Sequence, residues 1–173
     1  MSHTDELLTS AEQYAANFGL GDLPMRPRRP VVVLTCMDAR INLYALLGLH
    51  EGDLNILRNA GGAVTEDVIR SLVVSQRRLG TREIMVIHHR DCGLRTMDES
   101  AFVADLAREA GWQPPWPLES FGDPVSDVRR SLGRLATNAF LAHRDAIRGF
   151  LYDESSGRLE EVVADPRVSD PPA

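Results

Sequence analysis

Two kinds of hydrophobic spacing alternate along the chain. Residues 4–18 set Leu7, Leu8, Ala11, Tyr14, Ala15 and Phe18 at helical intervals behind Thr4, with Asp5 and Glu6 in the first turn, which predicts an amphipathic N-terminal helix capped by Thr4. Residues 31–35, Val-Val-Val-Leu-Thr, are then continuously apolar and β-branched without alternation, the pattern of a strand buried on both faces of a parallel sheet. Residues 84–87 repeat it, and a weaker strand is expected at 54–57. Between them, 66–79 reads as a helix capped by Thr65 and stopped by Gly80. Further helices are expected at 100–110 and 127–143, a fourth strand at 147–152, and an edge strand at 159–163 after a turn at 153–157.

Strands alternating with helices predict an α/β fold: a mostly parallel central sheet flanked by helices, with an antiparallel edge strand near the C-terminus. Residues 23–30 hold three prolines and three arginines, which no helix tolerates, so they read as an extended connector. The expected organisation is a single domain over 1–173. It divides into an N-terminal helix in 1–22, the proline-rich connector at 23–30, an α/β core at 31–165 and a frayed tail at 166–173.

Composition narrows the function. The 173 residues are 43% hydrophobic and 25% charged, a globular balance that argues against disorder, collagen or coiled coil. A formal charge of −6 leaves no basic footprint for nucleic acid. All 19 basic residues are arginine, which excludes Schiff-base chemistry and the lysine-containing phosphate loop. No apolar run approaches the roughly 20 residues that span a bilayer, so no membrane segment is expected. The first residues show no basic and apolar leader pattern, which makes the cytoplasm the expected location and a disulfide unfavourable there.

In open α/β sheets ligands bind at the carboxyl ends of strands. The chemically capable residues fall there: Cys36 follows the first buried strand, and His88, His89 and Cys92 follow the third. The two cysteines admit three readings, as inert buried thiols, as a disulfide, or as ligands of a metal. Thiolate and imidazole are donors zinc prefers. The adjacent His88 and His89 point to opposite faces if the strand continues through them, and spacing alone leaves open which one would bind.

The segments Cys36-Met37-Asp38-Ala39-Arg40, Arg58-Asn59-Ala60-Gly61-Gly62 and His89-Arg90-Asp91-Cys92-Gly93 together resemble the β-class carbonic anhydrases, and most of all their short bacterial branch. That family is marked by Cys-x-Asp-x-Arg followed some fifty residues later by His-x-x-Cys-Gly, and the resemblance runs from about residue 30 to 153. It implies one zinc ion per chain on Cys36, His89 and Cys92, with Asp38 and Arg40 as the catalytic pair and His88 either packing in the core or supporting a ligand from behind. It also implies the reaction, reversible hydration of carbon dioxide to bicarbonate by zinc-bound hydroxide. Three protein ligands leave one tetrahedral position open, as catalytic rather than structural zinc sites do. Two thiolates cancel the formal charge of the metal, so help from a nearby base such as Asp38 becomes useful. Asn59, Ala60, Gly61 and Gly62 are the candidate wall of a narrow substrate pocket, or simply a tight strand-to-helix turn. Some family members have a closed state in which the motif aspartate becomes the fourth zinc ligand, and Asp38 is the residue that would make that switch here. The family's smallest unit is a dimer, so a homodimer is expected, or a tetramer of two such pairs, with the N-terminal helix lying on the second subunit.

Two rival functions remain on the same residues. One is hydrolysis of carbonyl sulfide or carbon disulfide, also linear substrates, which relatives of this family perform. The other is a zinc-binding or redox protein without turnover. His50 and His143 read as surface residues, and His3 falls in the flexible start of the chain.

Overall fold

In a computed structural model, residues 2–163 are described, and the expected frayed tail at 166–173 lies outside them. Five strands form one sheet: β1 (Val31–Cys36), β2 (Asn55–Asn59), β3 (Glu83–His89), β4 (Ile147–Asp153) and β5 (Arg158–Val162). Their spatial order is β2-β1-β3-β4-β5. The first four run parallel, while β5 returns antiparallel to β4 through the expected turn, as the alternating pattern predicts. Around the sheet lie α1 (His3–Ala16), α2 (Leu43–Leu47), α3 (Glu66–Leu79), α4 (Glu99–Ala110) and α5 (Pro124–Ala136). Among the described residues no helix is long and apolar enough to cross a membrane.

The sheet is central because its inner strands are apolar on both sides. Val32, Val33 and Leu34 of β1 are wholly buried, as are Val86 and Ile87 of β3. One face, carrying Val32, Leu34, Ile84 and Val86, packs against Val68, Ile69 and Leu72 of α3 and Val128, Leu132 and Leu135 of α5. Helix α5 comes close to β4 because Gly149 has no side chain: a Cβ there would stand 2.4 Å from Val128 Cγ1 and 2.9 Å from Leu132 Cδ1. The other face, with Val33 and Ile87 at its centre, is covered by Ile41, Leu43 and the loop residue Leu94, and leaves Ile56, Met85, Phe150, Tyr152 and Leu159 only partly buried.

Several expected boundaries move for identifiable reasons. Helix α1 starts two residues earlier than residue 4 would allow a Thr4 cap: Ser2 caps it, in a reciprocal box in which Asp5 N–H donates to Ser2 Oγ and Ser2 N–H donates to the Asp5 carboxylate. Helix α5 was expected over 127–143 but spans Pro124–Ala136. Asp123 caps it by accepting from Ser126 N–H, with Pro124 in the first turn. It closes at Thr137, whose hydroxyl donates to the Gly133 carbonyl, and the chain beyond is held against α3, where the backbone N–H groups of Ala142 and His143 donate to Gln76 Oε1 and Leu141 is buried. Helix α2 went unread, being a single turn capped by Asn42 and too short to show a period. Helix α3 matches its expected limits, with Thr65 accepting from Val68 N–H and Gly80 in the left-handed region.

Candidate metal centre

The sheet topology brings three potential ligands together. The neighbours of β1 are β2 on one side and β3 on the other, so the winding reverses at β1, and a crevice opens beyond the carboxyl ends of β1 and β3. Cys36 ends β1, His89 ends β3, and Cys92 sits in the short loop that follows. One donor atom from each lies within 4.8 Å of the other two, and all three residues are buried. Gly62 supports this arrangement from behind. Its φ is +69°, and a Cβ would approach the Cys36 nitrogen to 3.1 Å and the Thr35 carbonyl carbon to 3.0 Å, so only glycine fits there without shifting Cys36.

The electrostatics of the trio favour a cation. The proximity of the two sulfurs lowers the pKa of Cys36 to about 4 and, with burial, raises that of Cys92. Burial alone would draw His89 down, but the Cys36 sulfur and the Glu154 carboxylate outweigh it and hold the imidazole above its ordinary 6.5. His89 Nδ1 is engaged by Glu154. His89 Nε2 is buried with no hydrogen-bond partner, an orphan that a metal ion would satisfy. Two sulfurs and one imidazole nitrogen are a zinc-preferring donor set, and three protein donors leave a fourth position open. The residues present therefore fit zinc.

Beside the cluster, Arg40 grips Asp38. Arg40 Nε donates to Asp38 Oδ1 at 3.0 Å, Nη2 to Oδ2 at 2.7 Å, and the Arg40 backbone N–H to Oδ1 at 2.8 Å. These contacts hold the Asp38 carboxyl well below its ordinary 3.8. Asp91, next to Cys92, braces Arg40 from the other side by accepting from Nη1 at 2.8 Å, and its carbonyl accepts from Nη2 at 2.8 Å. The backbone of the loop is fixed from β2: Arg58 donates to the carbonyls of Cys36 at 2.9 Å, Asp38 at 2.6 Å and Ile41 at 3.2 Å.

Cys36, Asp38, Arg40, His89 and Cys92 thus meet at one place, as the motifs lead one to expect. His88 does not join them. Wholly buried on the opposite side of β3, it sets Nε2 3.2 Å from the Gly62 carbonyl and Nδ1 3.0 Å from Asp127 of α5, off the line of a hydrogen bond. Of the candidate wall residues, Gly61 and Gly62 are buried in a 3-10 turn. Asn59 and Ala60 line a cavity of about 680 Å³ together with Leu57, Val68 and Trp116, and Ala60 also packs against the apolar cluster that holds Cys36 and Cys92. His50 is exposed as expected, whereas His143 is half-buried, its carbonyl accepting from Gln76 Nε2. Sequence reasoning missed Glu154 and gave Asp91 and Arg58 no role. Asp91 and Arg58 stand inside the quoted motifs, but Glu154 sits in a serine-rich turn and only the adjacency of β3 and β4 reveals it.

Residues 31–109 match the carbonic anhydrase family model. β-Carbonic anhydrase 1 of Mycobacterium tuberculosis is 46% identical over 163 residues, which cover 94% of this chain and 99% of that protein. A carbon disulfide hydrolase of Acidithiobacillus thiooxidans is 38% identical over 152 residues, 76% of each chain. Among solved structures, the carbonic anhydrase of Streptococcus mutans superposes with a TM-score of 0.87 at 39% identity, covering 94% of this chain and 99% of that one. An identity of 46% to the mycobacterial enzyme over nearly the whole of both chains, together with the shared architecture, places this chain in the β-carbonic anhydrase family.

Proposed function

We propose that this protein catalyses the reversible hydration of carbon dioxide to bicarbonate, with one zinc ion per chain held by Cys36, His89 and Cys92. The observation that carries the reading is the convergence of three buried soft donors beside a carboxylate already fixed by arginine. When bound, zinc supplies a Lewis acid that makes water nucleophilic near neutral pH.

The remaining roles belong to the chain. Asp38, kept ionised by Arg40, can only accept hydrogen bonds, so it orients the attacking water with a lone pair toward the carbon of CO2. Arg40 is committed to Asp38 and Asp91, and its planar fork fixes the carboxylate in one orientation. Arg58 keeps the loop from relaxing when product leaves, because three of its carbonyls are tied to one guanidinium. The proton released on hydration passes to buffer. With Asp38 engaged by Arg40 rather than placed among the three donors, Cys36, His89 and Cys92 would hold the zinc and a fourth position would be open to solvent. The closed alternative would require Asp38 to leave Arg40 for the metal.

A homodimer suits the uncovered surfaces. No residue of α1 is buried, and Leu7, Leu8, Tyr14 and Phe18 are all at least half exposed, an apolar stripe that a second copy would cover. A dimer mass by light scattering at micromolar concentration, falling to a monomer on removal of residues 1–22, is the expected result. A monomeric full-length chain would contradict it.

The similarity to carbon disulfide hydrolases supports a second reading, in which the same residues add water to a sulfur analogue of CO2. Turnover of CO2 and of carbon disulfide by one zinc-loaded preparation separates the two. We expect CO2 hydration to exceed carbon disulfide hydrolysis in kcat/KM by a factor of at least about 100, or some 2.7 kcal/mol of transition-state discrimination. The reverse order would transfer the assignment to the sulfur substrate.

A further inference from the structure

We propose that Glu154 is a positioning residue for the metal centre, setting the tautomer and direction of His89 and joining that ligand to the Asp38–Arg40 pair. The inference rests on the reading of Cys36, His89 and Cys92 as metal ligands.

Glu154 follows β4 in the turn to β5, where Asp153 Oδ1 accepts from Ser155 and Gly157 N–H returns to the Asp153 carbonyl. Strand β4 pairs with β3 so that His89 stands opposite Tyr152, and the turn therefore overhangs the loop that carries Cys92. Arg90 N–H donates to the Tyr152 carbonyl at 3.0 Å, while the Arg90 side chain donates to Glu160 of β5 at 2.6 Å, which locks turn and loop together. Of the residues between β4 and β5, Ser155, Ser156 and Gly157 are exposed, yet the Glu154 side chain is only 11% exposed and points inward.

A carboxylate withdrawn from water must be paired to be tolerated. Glu154 Oε1 accepts from His89 Nδ1 and from the Asp91 backbone N–H at 3.0 Å, and lies 4.0 Å from Arg40 Nη2. Accepting from Nδ1 keeps a ring proton there, so that the neutral ring offers its lone pair on Nε2, the atom that is buried without a partner beside the cysteines. The same oxygen fixes the residue that braces Arg40, so one side chain sets both the direction of the metal ligand and the frame of the catalytic pair. Partners of this kind raise metal affinity by about 10- to 100-fold, through orientation of the imidazole rather than contact with the metal.

The test compares Glu154→Gln and Glu154→Ala with the parent protein, using zinc and a competing chromophoric chelator. The amide of Glu154→Gln keeps an acceptor oxygen, so its zinc dissociation constant should stay within about fivefold of the parent, whereas Glu154→Ala should weaken it at least about tenfold. A readout independent of turnover accompanies this: in ¹⁵N NMR of the zinc-loaded protein, the His89 Nδ1 proton should exchange slowly with water in the parent and in Glu154→Gln, and rapidly in Glu154→Ala. Equal zinc affinity in all three proteins, or a His89 Nδ1 proton equally protected without Glu154, would overturn the proposal. If Glu154→Ala fails to fold, Glu154→Gln decides: loss of Nδ1 protection despite the retained acceptor also overturns it. Failure of the metal reading itself looks different, because the parent would then bind no zinc at these residues.

Discussion

Cys92→Ser should empty the metal site and with it abolish turnover. A serine hydroxyl does not ionise near neutral pH, so the substitution leaves one thiolate and one imidazole where the structure gathers three donors within 4.8 Å. Binding free energies of zinc sites exceed 10 kcal/mol, and loss of one of the three protein donors should weaken zinc binding by on the order of a thousandfold. Zinc content after gel filtration, measured against an unchanged circular dichroism spectrum, checks this, and full retention of zinc would contradict the ligand assignment. The pH dependence has a definite sign. In the metal-free protein His89 holds its proton above the ordinary 6.5 and Cys92 above the ordinary 9.0, and both must lose those protons to bind a metal. Binding therefore releases protons, and zinc affinity rises with pH and falls on acidification.

Asp38→Asn should leave the metal in place and lower kcat by about 10²- to 10⁴-fold, the range for loss of a positioned acid–base group. The asparagine oxygen can still accept the Arg40 backbone N–H that Asp38 Oδ1 accepts at 2.8 Å, so the loop keeps its shape. What changes is the second atom: an amide NH2 replaces the oxygen that receives Arg40 Nη2 at 2.7 Å, setting donor against donor and removing the acceptor that orients water. Stopped-flow hydration beside zinc analysis separates this from metal loss, and a kcat within threefold of the parent would remove Asp38 from the mechanism. Because Arg40 depresses the Asp38 pKa, the carboxylate is ionised throughout the neutral range, and a rise of activity between pH 6.5 and 9 belongs to another group. The same shift makes the contribution of the pair to stability present above pH 3.8 and lost as the pH falls below it. Since the Arg40 side chain is half exposed, that contribution is small, and the value of the pair lies in geometry.

Much of this was legible in the residues because the signals were local. The run at residues 31–35 has the pattern of an interior strand, and Thr65 and Gly80 bound α3 by cap chemistry that needs no tertiary information. The elements that escaped were set by partners remote in sequence. Helix α5 ends at Ala136, and beyond it Gln76 captures the backbone of Ala142 and His143, which nothing within the apolar spacing of Phe140 and Leu141 announces. The choice between His88 and His89 likewise needs the two faces of β3: one is occupied by α5 and its Asp127, the other opens on the cysteines. Glu154 is the extreme case, a glutamate beside serines in a hairpin turn, whose meaning depends on β4 lying next to β3 and pairing Tyr152 with His89. Arg58 was in plain view beside Asn59, but its hold on three carbonyls of the Cys36 loop is a property of backbone geometry that residue type does not encode.

The most direct test of the metal-dependent hydratase is a zinc titration of the metal-free protein followed by stopped-flow CO2 hydration at pH 8. Cys36, His89 and Cys92 as a single site predict activity that rises linearly to one equivalent of zinc per chain and then stays flat. Hydration that is absent at full zinc loading, or that does not depend on zinc, would contradict it.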